Sequence, residues 1–184
     1  MRRMIVVALV AMLALPVVVT AGELAGVSMP DQVTVAGKTL QLNGMGLRKK
    51  LWVKVYVAGL YLENKTSDAN EAVSAPEPKR LVMHFLTNKA TKKKMDAAWD
   101  EGFEANAPEV PADQVDRFKA FFGDMKKGDV IELTIVPEEG THVVVNGVEK
   151  GVIKGDGFGQ GILKVFIGPN PPTEDLKNGL LGKG

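Results

Sequence analysis

The sequence predicts an α+β fold in which a large, mostly antiparallel sheet is covered on one face by helices. Three observations predict it. Strand-like runs occupy both halves of the chain and are separated by turn residues instead of crossover helices. Two consecutive helical apolar stripes interrupt them in the middle. Asn146-Gly147, between two Val-rich runs, is the strongest signal for a tight hairpin in the chain.

Composition narrows the function classes. The 184 residues are 45% hydrophobic and 24% charged, with a formal net charge of +1, so there is no global pull towards nucleic acid. Cysteine is absent, which excludes disulfides, thiolate nucleophiles and lipid attachment at a cysteine. The only histidines, His84 and His142, are far apart in strand-like segments, and no spacing supports a metal site. No cofactor motif is present. GDGFGQG at 155–161 lacks the lysine and Ser/Thr of a phosphate loop and reads as a flexible connection into a helix.

Residues 1–21 read as a secretory signal peptide. Arg2 and Arg3 precede an apolar run from Met4 to Val19, broken by Pro16, and Val19-Thr20-Ala21 offers small residues for cleavage after Ala21. An uncleaved anchor is the alternative, but the run is short against the roughly 20 residues that a bilayer span needs. The expected mature domain, 22–184, is therefore periplasmic or secreted, with no stable membrane span after cleavage.

In order, residues 22–32 read as a polar lead-in. Val33–Val35 and Thr39–Leu42 read as short strands around Ala36-Gly37. Gly44 and Gly46 read as a turn, Arg48-Lys49-Lys50 as a basic knot, and Leu51–Leu62 as a long central strand. Alternation along that strand puts Leu51, Val53, Val55, Val57, Gly59 and Tyr61 on a core face. Trp52, Lys54, Tyr56, Ala58, Leu60 and Leu62 go to a face suited to a cleft. Gly59 implies a bulge or a close approach.

Residues 64–78 read as a loop or a marginal helix, and Lys79–Leu86 as a strand. Met95, Ala98, Trp99, Gly102 and Phe103 make the stripe of a helix over Lys92–Ala107. Val115, Phe118, Phe121 and Phe122 make that of a helix over Ala112–Phe122. Strands follow at Val130–Val136, Thr141–Val145 and Val148–Ile153, then a short helix at Ile162–Ile167. Thr173, followed by Glu174 and Asp175, marks the start of the last helix. The lysines of KATKKKMD, 89–96, need no role beyond a solvated helix start.

GMGLRKKLWVKVYVAGLYLE (44–63), LVMHFL (81–86) and ILKVFIGPNPPTEDLKNGLLG (162–182) together resemble the chalcone isomerase family, and its small bacterial members with signal peptides in particular. The resemblance spans about Val33 to Leu181 and implies an open-faced β-sandwich. It also implies a cleft between sheet and helices. In plant members of the family, an arginine there stabilises developing negative charge while a tyrosine and a threonine organise water.

The family arginine matches Arg48, although the connection onward to YVAGLYL is shorter here. The threonine matches Tyr56, the tyrosine matches Leu86, and a late hydroxyl position matches Val165. One arginine kept among apolar replacements argues against chalcone cyclisation, because neither leucine nor valine can hydrogen-bond. The resemblance implies instead a non-catalytic protein holding a small amphipathic carboxylate such as a fatty acid. Arg48 would lie at its head, with Tyr56 or Tyr61 beside it and Leu86 and Val165 in the wall. The tail would lie against the helices carrying Trp99, Phe103 and Phe118. An isomerase of the intramolecular lyase type acting on another substrate is one alternative. A cell-envelope interaction protein without ligand chemistry is the other.

Overall fold

The computed structural model describes residues 20–184. Apart from Thr20 and Ala21, the expected signal peptide lies outside the described residues. Seven strands form one antiparallel meander in chain order: β3 (Gln32–Val35), β4 (Lys38–Lys50), β5 (Val53–Leu62), β6 (Lys79–Phe85), β7 (Val130–Val136), β8 (Gly140–Val145) and β9 (Val148–Ile153). The helices are α1 (Ala69–Ser74), α2 (Lys92–Asn106), α3 (Ala112–Lys119), α4 (Asp156–Ile167) and α5 (Glu174–Leu180). The expected α+β layering holds.

The lead-in is more ordered than its sequence suggests. Strands β1 (Thr20–Leu24) and β2 (Val27–Pro30) pair as a separate hairpin. Its turn, Ala25-Gly26, has φ of 52° and 82°, the double left-handed conformation that right-twisted hairpins favour. Asn146-Gly147, at 52° and 76°, turns β8 into β9 in the same way.

The sheet buries both faces. On the helix side, Tyr56, Ala58, Leu60 and Leu62 of β5 join Leu81, Met83 and Phe85 of β6 in the main core. On the other side, Val57 and Tyr61 pack with Val35, Leu40, Leu42, Val82 and with Met29 of the small hairpin. The face expected to line a cleft is thus mostly core. Gly59 marks a close approach, but by Met29 rather than a ligand: a Cβ there would stand 2.3 Å from the Met29 sulfur.

Gly44 and Gly46 make no turn; both lie within β4. They let α5 lie directly on the strand. A Cβ at Gly44 would stand 2.1 Å from the Gly179 carbonyl oxygen, and one at Gly46 2.3 Å from that of Leu176. Just before them Asn43 is bulged out of the register. Its amide donates to the Leu180 carbonyl at 2.7 Å and its oxygen accepts from Thr66 N–H at 2.9 Å, which fixes the end of α5. Thr173 caps that helix, its hydroxyl accepting from Leu176 N–H at 3.3 Å.

The actual turn before β5 is Leu51-Trp52. The glycine-rich 155–161 segment also differs from expectation, since α4 begins at Asp156 and takes in most of it. Gly159 and Gly161 sit where a Cβ would press on Ile135 and Val110 at 2.6 and 2.7 Å, so the glycines serve close packing.

Candidate functional site

A cavity of about 520 Å³ opens between one end of the sheet and the helix layer. Its sheet wall is Arg48, Val53, Val55, Tyr56 and Met83. Its helix wall is Met95, Ala98, Trp99 and Gly102 of α2 with Val165 and Phe166 of α4. Asn170-Pro171-Pro172 closes a side.

A second bulge builds the sheet wall. Arg48 pairs with Tyr56 and Lys49 with Lys54, so Val55 is the extra residue. Strict alternation would send Val53 and Val55 to the face opposite Tyr56. The bulge turns this stretch so that all three line the cavity. The helix wall depends on Gly102, where a Cβ would stand 2.7 Å from a Val165 methyl carbon, so α2 and α4 pack closely behind the cavity. Asn106 holds the side loop: its amide donates to Asn170 O at 2.9 Å and its oxygen accepts from Asn170 N–H at 2.8 Å.

The walls are apolar and the rim is cationic. Arg48, Lys50, Lys89 and Lys94 all border the cavity, against one acid, Glu101. Among the described residues none of the four cations forms a salt bridge. The Arg48 guanidinium donates to the Lys49 carbonyl at 2.5 Å, leaving further N–H groups for an anion. Tyr56 is buried, and its ring meets Phe85 edge-on at 5.7 Å. Burial pushes its phenol well above the ordinary range, against a smaller downward pull from Arg48. It therefore stays a protonated hydrogen-bond donor at any physiological pH.

Three of the five expected site residues, Arg48, Tyr56 and Val165, come together at this cavity. Tyr61 and Leu86 do not: both pack on the opposite face of the sheet. The Tyr61 hydroxyl donates to the Pro30 carbonyl at 3.0 Å, tying down the small hairpin. Of the aromatics expected along a ligand tail, Trp99 lines the cavity. Phe103 and Phe118 lie outside its lining in the main core, Phe103 stacked on Phe158 at 5.5 Å and Phe118 edge-on to it at 5.3 Å. Sequence reasoning passed over Val53, Val55, Lys50, Lys89 and Lys94. The lysines were visible as charge runs, but nothing local placed them on one rim.

The arrangement defines a class: an open-faced antiparallel sandwich with a sheet–helix cavity, apolar inside and cationic at its mouth. The chain belongs to the chalcone isomerase-like family, whose model matches residues 21–182. No curated protein matches the sequence. Among solved structures, a fatty-acid binding protein of Arabidopsis thaliana is similar over 85% of this chain and 92% of its own. The TM-score is 0.69 and the identity 17%, a likeness of fold. Among the described residues no group of three or more His, Asp and Glu side chains could hold a metal, and no helix is long and apolar enough to cross a membrane.

Proposed function

We propose that this protein is a non-catalytic binder of a small amphipathic carboxylate, a fatty acid or close analogue, held tail-inward in the sheet–helix cavity. The observation that carries the reading is the one-sided polarity of that cavity: apolar walls, with Arg48 in register with Tyr56 at a cationic rim. Its volume of about 520 Å³ falls within the roughly 300–1,000 Å³ of small-molecule sites. The fatty-acid binding named for the Arabidopsis protein of the same fold supports the same class of ligand.

Arg48 suits the head group because its planar fork can grip both carboxylate oxygens. Tyr56 can donate a further hydrogen bond without ionising. Val165 in the wall adds surface for a tail but no hydrogen bond. We also propose that the leader directs export and is removed after Ala21. N-terminal sequencing of exported protein should begin at Gly22; recovery of Met1 in a membrane fraction would refute this.

The test of binding is calorimetric titration with a fatty acid and its methyl ester below the micelle concentration. A charge-assisted contact contributes about 1.5–3 kcal/mol, so Arg48→Ala should weaken acid binding on the order of 10- to 100-fold. Arg48→Lys should recover part of that. Equal affinity for acid and ester, or an unchanged Arg48→Ala in an intact fold, sinks the reading. Acceleration of naringenin-chalcone cyclisation that depends on Arg48 would put an isomerase in its place.

A further inference from the structure

We infer that the tip of the β4–β5 hairpin docks the protein on an anionic lipid surface, with the cavity mouth turned towards the membrane. Leu51 and Trp52 form the tip and are 80% and 85% exposed, the two most exposed large apolar side chains of the described residues. The adjoining strand ends carry Arg48, Lys49, Lys50 and Lys54, none of which forms a salt bridge among the described residues. An indole and a leucine framed by cations match the boundary between lipid headgroups and acyl chains. The rings would sit at headgroup level while the cations meet phosphates.

Three features of this tip are unfavourable in the isolated fold. Leucine occupies the first turn position with φ of 55°, where a two-residue turn of this kind prefers glycine. Lys49 stands directly opposite Lys54 in the ladder, a like-charge pair that costs stability. The two apolar side chains face water. An anionic apolar boundary relieves the second and third together, whereas turn chemistry explains none of them. The net charge of the whole chain is only +1, so this end concentrates charge locally.

The tip is also joined to the cavity. Lys50 and Leu51 line its mouth, as do Lys89 and Lys94. An amphiphile could pass from the bilayer to the cavity beneath the hairpin without crossing bulk water. The docking itself rests on the exposed surface and holds whatever the cavity carries, so it can fail or stand apart from the proposed ligand.

The experiment uses the protein in the form the cell produces, with vesicles of phosphatidylcholine alone or mixed with phosphatidylglycerol. There are two tryptophans, Trp52 at the tip and Trp99 in the cavity wall, so an emission change that is lost in Trp52→Phe reports the tip. Mixed vesicles should shift the emission to the blue and allow quenching by brominated acyl chains. Pure phosphatidylcholine should do neither, and high salt should reverse both effects. Lys49→Gln with Lys54→Gln should weaken vesicle binding roughly 20- to 30-fold, because each lysine near an anionic surface contributes about a fivefold factor. Trp52→Ala should weaken it as well, followed by vesicle sedimentation. Neither change should alter fatty-acid affinity in solution, since none of the three residues lines the cavity. No emission shift with mixed vesicles, or binding undiminished in the double variant, overturns the proposal. A tip that instead binds a protein leaves the vesicles untouched and overturns it too.

Discussion

Arg48 and Tyr56 face one another because the ladder between two strands puts them in register. That pairing makes a basic residue near a turn into part of the cavity lining. Tyr61, five residues on, has the same chemistry, yet its hydroxyl is committed to Pro30 on the far face. His84 shows how much a residue's surroundings matter. It is on the far side of β6, where burial holds its imidazole below the ordinary value, with a smaller opposing effect from Glu132. The fold thus favours the neutral ring, and the unfolded chain binds more protons between the lowered value and about 6.5. Stability from His84 is present above that ordinary value and is lost as pH falls through the folded one. Chemical denaturation between pH 7.5 and 5 should show this loss, and His84→Gln should flatten the slope. A slope unchanged by the substitution would assign it to other groups.

At the scale of elements, the tightest dependence is that of α5 on β4. The glycines at 44, 46 and 179 let backbone meet backbone, and the atoms in the way are carbonyl oxygens that no rotamer change can move. Gly46→Val should therefore separate helix from strand and destabilise the fold by at least about 1–3 kcal/mol, the cost of overpacking. Urea unfolding measures it. Gly123→Ala, where a Cβ meets nothing within 4 Å, serves as the control and should be nearly neutral. These glycines were prominent in the sequence, but a pair spaced by one residue reads equally as a turn or as a flat patch on a strand. Only the presence of α5, more than 120 residues later, decides which. The two bulges of the β4–β5 ladder, at Asn43 and Val55, are similarly silent: neither position carries a residue that announces one. The second inverts the facing of Val53 and Val55 and thereby shapes the cavity wall.

At the scale of the molecule, the cavity exists because the helix layer and the sheet separate at one end while Phe103, Phe118 and Phe158 fill the other. Its finite size leads to a graded expectation. Each methylene buried from water contributes about 0.8 kcal/mol, or roughly fourfold in affinity. Affinity for saturated fatty acids should rise at that rate with chain length and then level off once the cavity is full. Titration of a series from eight to sixteen carbons reads the break point. A flat series would mean that the tail lies outside the cavity.

Periodicity and turn chemistry by themselves determined only part of the element list. The meander strands β6 to β9 and the two central helices fall close to where alternation, apolar stripes and Asn146-Gly147 put them, since those signals act within a few residues. The family was legible for a related reason, because long stretches such as 44–63 carry many constraints at once. Which residues share the site was a tertiary decision. Arg48, Tyr56 and Val165 meet while Tyr61 and Leu86 do not, because strand facing, bulges and helix packing are settled between segments distant in sequence. A one-residue bulge moves a side chain across the sheet without changing its chemistry, so residue type alone could not tell a cavity wall from a second core.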